Sequence, residues 1–427
     1  MTGPLPSTAA LQPGNLLGGV MVQARGALTW RRGLIVAAVL VTVLSVTRQV
    51  SGANDLTSSG TAGAALLLAV PLLCAGLAGL WSERAGVVNI GLEGMMVLGT
   101  WAGAYGAYQY GPWAGVALGI VGGALGGLLH AVATVTFGVD QIISGVAINL
   151  LGPGVARFLS SLLFTGESGG GATQSPQTPQ PPTFTVPGVS DALRSVEQQG
   201  WFLVSDVAGI VGGFVTDVSW VTVLALLLVP GTLFVLWRTA FGLRLRSCGE
   251  NPYAAESLGV NVYLYKYLAV IVSGGLAGLG GAFLSIVASN IYREGQTGGR
   301  GYIGLAAMIF GNWRPGGLLA GAGLFGFTDA LQLRQGETSV HALLLALALL
   351  LVLFGAWLLR GGSRTQGLVC VGAGLLTLLV FLLSDTVPQE FTSATPYVVT
   401  LLVLSLASQR LRPPAAVGIP YRRGTAK

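Results

Sequence analysis

Charge is what this sequence has least of: Asp, Glu, Lys and Arg make up 9% of its 427 residues, against 52% hydrophobic. Soluble domains carry about 25% charged residues, so a water-soluble fold is excluded. Lysine occurs only at Lys266, in "LYKYL", and at Lys427, the last residue. A P-loop needs Gly-x-x-x-x-Gly-Lys-Ser/Thr, whose lysine reaches the phosphates; any ATP-driven step must therefore come from another subunit. His130 and His341 are isolated, and Cys74, Cys248 and Cys370 lie far apart. Neither a disulfide framework nor a metal site is expected from them. The chain reads as no enzyme, with no cofactor bound by the chain itself, and its net charge of +6 follows arginine placement better than nucleic-acid binding.

Present instead are apolar runs near the ~20 residues that cross a bilayer. They fall at 34–50, 62–80, 88–108, 112–136, 141–163, 207–237, 267–290, 341–359, 367–384 and 396–409. The expected fold is an all-α integral membrane protein of about ten transmembrane helices. Residues 1–33 form an N-terminal lead whose Pro-, Gly- and polar-rich start does not read as a cleaved signal. Arg25, Arg31 and Arg32, the 238–266 loop with Arg238, Arg244, Arg246 and Lys266, and the 410–427 tail with Arg410, Arg412, Arg422 and Arg423 are cationic. Such segments belong in the cytoplasm, which puts both termini inside. The count closes if 302–330 enters and leaves from the outer side as a hairpin. Its tip is Asn312, Arg314 and Pro315, where protein or a water-filled cavity can satisfy the freed backbone groups. The core is expected over 34–335, with added helices over 336–409. The outer loop 165–206 contains "SGGGATQSPQTPQPPT", which reads as a flexible connector.

Residues 90–95, "IGLEGM", echo 303–308, "IGLAAM". With opposed directions of entry, this points to an inverted repeat of broken helices. Glu93 corresponds to Ala306, so any carboxylate chemistry has been kept in one half only. In the 238–266 loop, Asn251 is a plausible N-cap and Pro252 a first-turn residue. "PYAAESLG" then makes about two helical turns stopped by Gly259. Tyr253, Ala254 and Leu258 could present a small apolar surface there. Spacing alone leaves a surface helix and a helix that couples to a cytoplasmic ATPase equally open.

"GLRLRSCGENPYAAESLGVNVYLYKYLAVIVSGGLAGLGGAFLS" at 242–285 resembles the ABC-importer permeases of the ribose and branched-chain amino-acid superfamily. Among them the nucleoside (simple-sugar) permeases are most similar. "SERAGVVNIGLEGMMVLG" at 82–99, "DQIISGVAINLL" at 140–151 and "GRGYIGLAAMIFGNWRPGG" at 299–317 resemble further signatures in the same order. The resemblance implies a multi-pass permease in a bacterial plasma membrane. It implies four partners: a nucleoside substrate, an extracytoplasmic substrate-binding lipoprotein, a second permease, and an ATPase with two fused nucleotide-binding domains that holds ATP and Mg. Residues 251–259 would be the coupling helix, built on Gly249, Glu250, Asn251, Pro252, Tyr253, Ala255, Glu256, Leu258 and Gly259.

A neutral nucleoside needs a few polar groups in a smooth wall. Asn89 and Glu93, spaced i, i+4 on one helix face, and Asp140, Gln141 and Asn149, on another, are the pathway candidates. The competing role is to fasten helices, with Glu93 bracing a break at Gly91 and Gly94. A sugar or amino-acid permease, or a proton-coupled transporter using Glu93, are the alternative functions.

Overall fold

The computed structural model describes residues 16–388, 392 and 411–423. The expected span at 396–409 and the first residues of the N-terminal lead lie outside them. The chain opens with α1 (Leu16–Ser51) and α2 (Ser59–Arg84), then runs non-helically to α3 (Leu92–Tyr110). There follow α4 (Pro112–Ala131), which passes into a π-helical turn at Val132–Thr136, and α5 (Gln141–Leu163). The long loop after α5 carries β1 (Thr183–Phe184), α6 (Val189–Gln198), α7 (Val204–Gly212) and β2 (Val218–Ser219), and the two strands pair antiparallel. Next come α8 (Trp220–Arg238), α9 (Ala240–Glu250), α10 (Pro252–Ser257) and α11 (Val262–Phe283), the last ending in a π-helical turn at Leu284–Ala288. The half-length α12 (Arg300–Phe310), α13 (Pro315–Arg360) and α14 (Arg364–Leu383) complete the described helices. Among the described residues, 8 segments are long and apolar enough to cross a membrane. The protein is an all-α, multi-pass membrane protein.

Lipid offers helices no hydrophobic reason to associate, so small residues that allow close backbone contact set the packing. Here α2 and α11 are the most enclosed spans, and α11 meets α3 and α4 through glycines. A Cβ placed on Gly123 of α4 would sit 2.2 Å from the Gly274 carbonyl of α11; one on Gly278 would sit 2.3 Å from the Gly119 carbonyl. Gly99 of α3 closes on the same Gly278.

The bundle has two unlike ends. One gathers Arg84, Arg246, Arg314 and Arg412; the other carries β1, β2, α6 and α7. At the loop end, buried Asp206 accepts from Thr57 Oγ1 at 2.5 Å, from the Leu203 amide at 3.1 Å and from Ser45 Oγ. Arg48 Nε lies 3.0 Å from it. Four hydrogen-bond partners make this buried pair tolerable, since an uncompensated buried charge would cost several kcal/mol, about 3–5.

Several expectations change. The 207–237 run is not one span but α7 and α8. Asp217 takes a left-handed φ of 52° between them, and Ser219 caps α8 by accepting from Val221 N at 3.3 Å. The Gly/Pro/Gln tract is no free connector. Ser175 N donates to Tyr292 O at 3.0 Å, Thr178 N to Asn290 O at 2.8 Å, and Glu294 N to Thr173 O at 2.8 Å. Partners distant in sequence thus supply the ladder that its composition could not. The hairpin does turn at Gly311–Arg314, but its second arm does not stop near 330. Because "LQLRQGETSV" at 331–340 holds no proline, α13 runs unbroken for 46 residues through the expected boundary at 335. That is about 69 Å at 1.5 Å per residue. The echoing hexapeptides are also out of register: Leu92 opens α3, whereas Leu305 lies in the middle of α12.

Gly278→Val should remove the α3–α4–α11 contact outright. The expected outcome is loss of monodisperse, detergent-extracted protein by size-exclusion chromatography, whereas Gly154→Val, where a Cβ meets nothing within 4 Å, should leave the elution profile unchanged.

Candidate functional site

The stretch between α2 and α3 is unwound, and several of its freed peptide groups find named partners. Ser82 Oγ donates to Val87 O at 2.6 Å, and Val87 N returns to Ser82 O at 3.1 Å. Val88 N donates to Gln141 Oε1 at 2.7 Å. Val88 O accepts from Nε2 of buried His130 at 3.0 Å, which leaves Nδ1 to accept from Ser144 Oγ at 2.9 Å. Asn149 serves both sides of the break: Nδ2 donates to Ile90 O at 3.0 Å, and Oδ1 accepts from Gly94 N, in the first turn of α3, at 2.8 Å.

Glu93 does the same for a second break. Its Oε1 accepts from Gly299 N at 2.8 Å and its Oε2 from Gly301 N at 2.7 Å. The carboxylate therefore lies in the first turn of α3 and against the N-terminus of α12. Both helix dipoles favour an anion there, and backbone N–H groups point at it. Gly304 packs onto Leu72–Gly76, which sets this junction about halfway along α2.

Beside the junction several polar side chains are exposed on the outside of the bundle. Asn149 Nδ2 also donates to Tyr302 Oη at 2.8 Å, and Tyr302 is 47% exposed. Two turns along α5 toward the loop end, Arg157 Nη1 lies 3.5 Å from Glu294 Oε1, with the arginine 62% exposed. Arg293 is exposed nearby, and Gln296 Nε2 donates to Leu284 O at 2.9 Å. An arginine facing hydrocarbon is costly, so water or protein must cover this face. The sequence reading missed Tyr302, Glu294 and Gln296. The polar run "REGQTGG" at 293–299 in an apolar region was the available signal.

The pathway candidates thus divide. Gln141, Asn149 and Glu93 converge on the two breaks as backbone acceptors or donors, and of these Asn149 also bonds the exposed Tyr302. Asn89 precedes α3, so it shares no helix face with Glu93; its Nδ2 donates to Ser273 Oγ at 3.0 Å in full burial. Asp140 lies apart as the N-cap of α5, accepting from Ile142 N at 2.9 Å and Ile143 N at 3.0 Å. Glu93 braces the α12 break, not the Gly91/Gly94 break, whose amide Asn149 takes.

At the arginine-rich end, Asn312 and Trp313 take left-handed φ values of 52° and 53° to form the hairpin tip, and Pro315 opens α13. Trp313 O accepts from Arg84 Nη2 at 2.6 Å, and Trp313 Nε1 donates to Glu83 Oε2 at 2.5 Å. Arg314 is exposed. The 238–266 loop folds as α9 and α10. Asn251 Oδ1 caps α10 through Ala254 N at 3.0 Å, Pro252 occupies its first turn, and Gly259 ends it at φ +80°.

The apolar surface differs from the one expected. Ala255 is buried and Tyr253 turns inward onto Tyr421, ring centroids 5.3 Å apart, which leaves Ala254 and Leu258 outside, the latter 84% exposed. Residues 411–423 strap this loop: Arg412 N donates to Asn312 Oδ1 at 2.8 Å, Ala416 N to Gly249 O at 2.8 Å, and Ala415 N to Glu250 Oε2 at 3.2 Å. Arg423 Nε lies 3.3 Å from Glu256 Oε1. Under the strap, burial pushes the Cys248 thiol up to about 11, so it stays a neutral packing residue. Among the described residues no cluster of His, Cys, Asp and Glu could hold a metal.

Residues 61–354 match the family described as branched-chain amino acid transport system / permease component. The guanosine ABC transporter permease protein NupQ of Bacillus subtilis (strain 168) is 32% identical over 369 residues, 84% of this chain and 96% of that protein. The nucleoside ABC transporter permease protein NupC of Lactococcus lactis subsp. cremoris (strain MG1363) is 33% identical over 368 residues, 83% of this chain and 94% of that one. The putative glucose ABC transporter permease protein TsgC13 of Haloferax volcanii is 37% identical over 372 residues, 86% and 98% of the two chains. No solved structure matches.

Both oxygens of Glu93 accept, so Glu93→Gln would turn an N–H donor toward a backbone N–H. Two charge-assisted bonds are at stake, each about 1.5–3 kcal/mol. The expected outcome is a thermal-unfolding midpoint lowered by several degrees in detergent (about 2–4 °C per kcal/mol for a large domain); an unchanged midpoint would reject the bracing role.

Proposed function

Because the chain belongs to this permease family of the branched-chain amino acid transport system, we propose that it is the membrane subunit of an ATP-binding-cassette importer for nucleosides. The observation that carries the reading is the junction of two broken helices, halfway through the bundle, beside exposed polar side chains that run toward the loop end and, on this reading, line a groove. A neutral, hydroxyl-rich solute needs such a route: hydrogen-bonding groups along one face, and no tight pocket to slow release. The names of two relatives, NupQ and NupC, support guanosine or other nucleosides as the solute.

On this reading the arginine-rich end faces the cytoplasm of a bacterium, in keeping with cationic loops inside. The loop end then receives substrate from an extracytoplasmic binding lipoprotein. The groove is closed by a second permease subunit, since lipid is a poor cover for Arg157. Alternating access is driven by a separate ATPase with two fused nucleotide-binding domains, which holds the ATP and Mg; the exposed face of α10, with Leu258 at its end, inserts into it.

A sugar is the second reading, favoured by the glucose-permease relative at 37% identity and by the same neutral groove chemistry. A proton-coupled carrier fits less well, because both Glu93 oxygens are occupied by backbone amides.

Radiolabelled guanosine and glucose uptake in a strain deleted for this chain separates the two solutes; unimpaired guanosine uptake would reject the nucleoside. Leu258→Asp should cut transport and substrate-stimulated ATP hydrolysis by an order of magnitude or more, the scale of a lost hot-spot contact of about 2 kcal/mol. The amount of folded permease should not change, because the side chain is 84% exposed. Normal ATPase stimulation in that variant would reject the coupling role.

A further inference from the structure

Most polar side chains near mid-depth are spent on backbone, and subtracting them isolates Tyr302. Both donors of Asn149 are used: its Oδ1 holds Gly94 N, and the two Nδ2 protons go to Ile90 O and Tyr302 Oη. Tyr302 Oη therefore accepts, and its own O–H proton is left to donate. No described acceptor pairs with it. A hydroxyl donor without a partner in hydrocarbon is unfavourable, so the proton needs water or a solute in the groove. The ring itself is 47% exposed. It sits in the first turn of α12, beside Gly299, where an added Cβ would meet only the Tyr302 ring edge at 3.9 Å. The side chain is about half exposed, while its position is held by α12 and by the Asn149 bond.

We infer that Tyr302 is the residue of this chain that reads the solute, its ring stacking on a nucleobase and its hydroxyl donating to a base or ribose oxygen or nitrogen. Stacking on an aromatic side chain suits any base, because every base has a π face. A fixed ring with one outward donor thus selects for a planar heterocycle while tolerating exchange among bases. The Arg157–Glu294 pair, farther out, is satisfied internally and adds no such selection. This assignment rests on the nucleoside reading of the proposed function.

The test uses the assembled importer in membrane vesicles, with 8-azidoadenosine as photoprobe and mass spectrometry of the labelled peptides. Label is expected on residues 299–303, displaced by excess adenosine. Tyr302→Phe should keep the label and hold adenosine uptake within about threefold, one neutral hydrogen bond. Tyr302→Ala should lower uptake about tenfold, the loss of one stacked base, with the amount of chain in the membrane unchanged. Label confined to other segments would overturn the assignment. So would Tyr302→Phe falling as far as Tyr302→Ala, which would make the tyrosine a prop for Asn149. Wild-type nucleoside uptake with an unaffected Tyr302→Ala overturns the stacking role alone. A wild-type importer that moves glucose and no nucleoside removes the nucleoside reading, and the stacking role with it.

Discussion

A peptide group left without a partner in hydrocarbon costs several kcal/mol, and this single constraint organises the molecule. The helices break three times within the bundle: before α3, before α12, and between α12 and α13. Each break frees backbone donors and acceptors that the helices no longer pair. In each case the partner is a side chain from a different element. Gln141, Asn149 and His130 serve the first break, Glu93 the second, and Arg84 the third. Part of the placement of the scarce polar residues follows from this: Gln141, Asn149, His130 and Glu93 are each assigned to a break.

That assignment also fastens the elements to one another. The strap at 411–423 bonds α9 through Gly249 and Glu250 and the hairpin tip through Asn312. The tip is held to the end of α2 through Arg84 and Glu83, and α12 runs from the tip to Glu93. On the proposed function, a displacement of α10 has a contiguous route of packed and hydrogen-bonded groups to the junction beside the groove. The half-length α12 suits this, since both its ends are pinned by side chains while its body packs closely on α2 at Gly76 and Gly304.

Much of this was legible in the residues. The span limits at 141–163, the N-cap at Asn251, the stop at Gly259 and the turn at Asn312–Pro315 follow from local chemistry: apolar length, capping side chains, and φ preferences of Gly, Asn and Pro. Other features depend on residues far apart. Nothing near Glu93 indicates that its carboxylate caps a helix 206 residues away. Nothing in "SGGGATQSPQTPQPPT" indicates that it lies along 290–294, because a strand-like pairing is specified by both partners. Tyr302 was hidden for the opposite reason. In sequence it is one more aromatic in an apolar run, and only the spent hydrogen bonds of Asn149 mark its hydroxyl as free.

By itself the sequence determined the class: a chain with repeated apolar runs near 20 residues and arginine-rich loops is a helical membrane protein, because each such run satisfies its own backbone only as a helix in hydrocarbon. It also determined the local breaks, since Gly, Pro and Asn act through their own backbone. The tertiary structure alone decided which distant groups the polar residues meet. A carboxylate or carboxamide in a membrane helix can face a pathway or satisfy a peptide group, and those two roles have the same sequence. The choice is made by which distant backbone comes within 3 Å, and that is set by how the whole bundle packs.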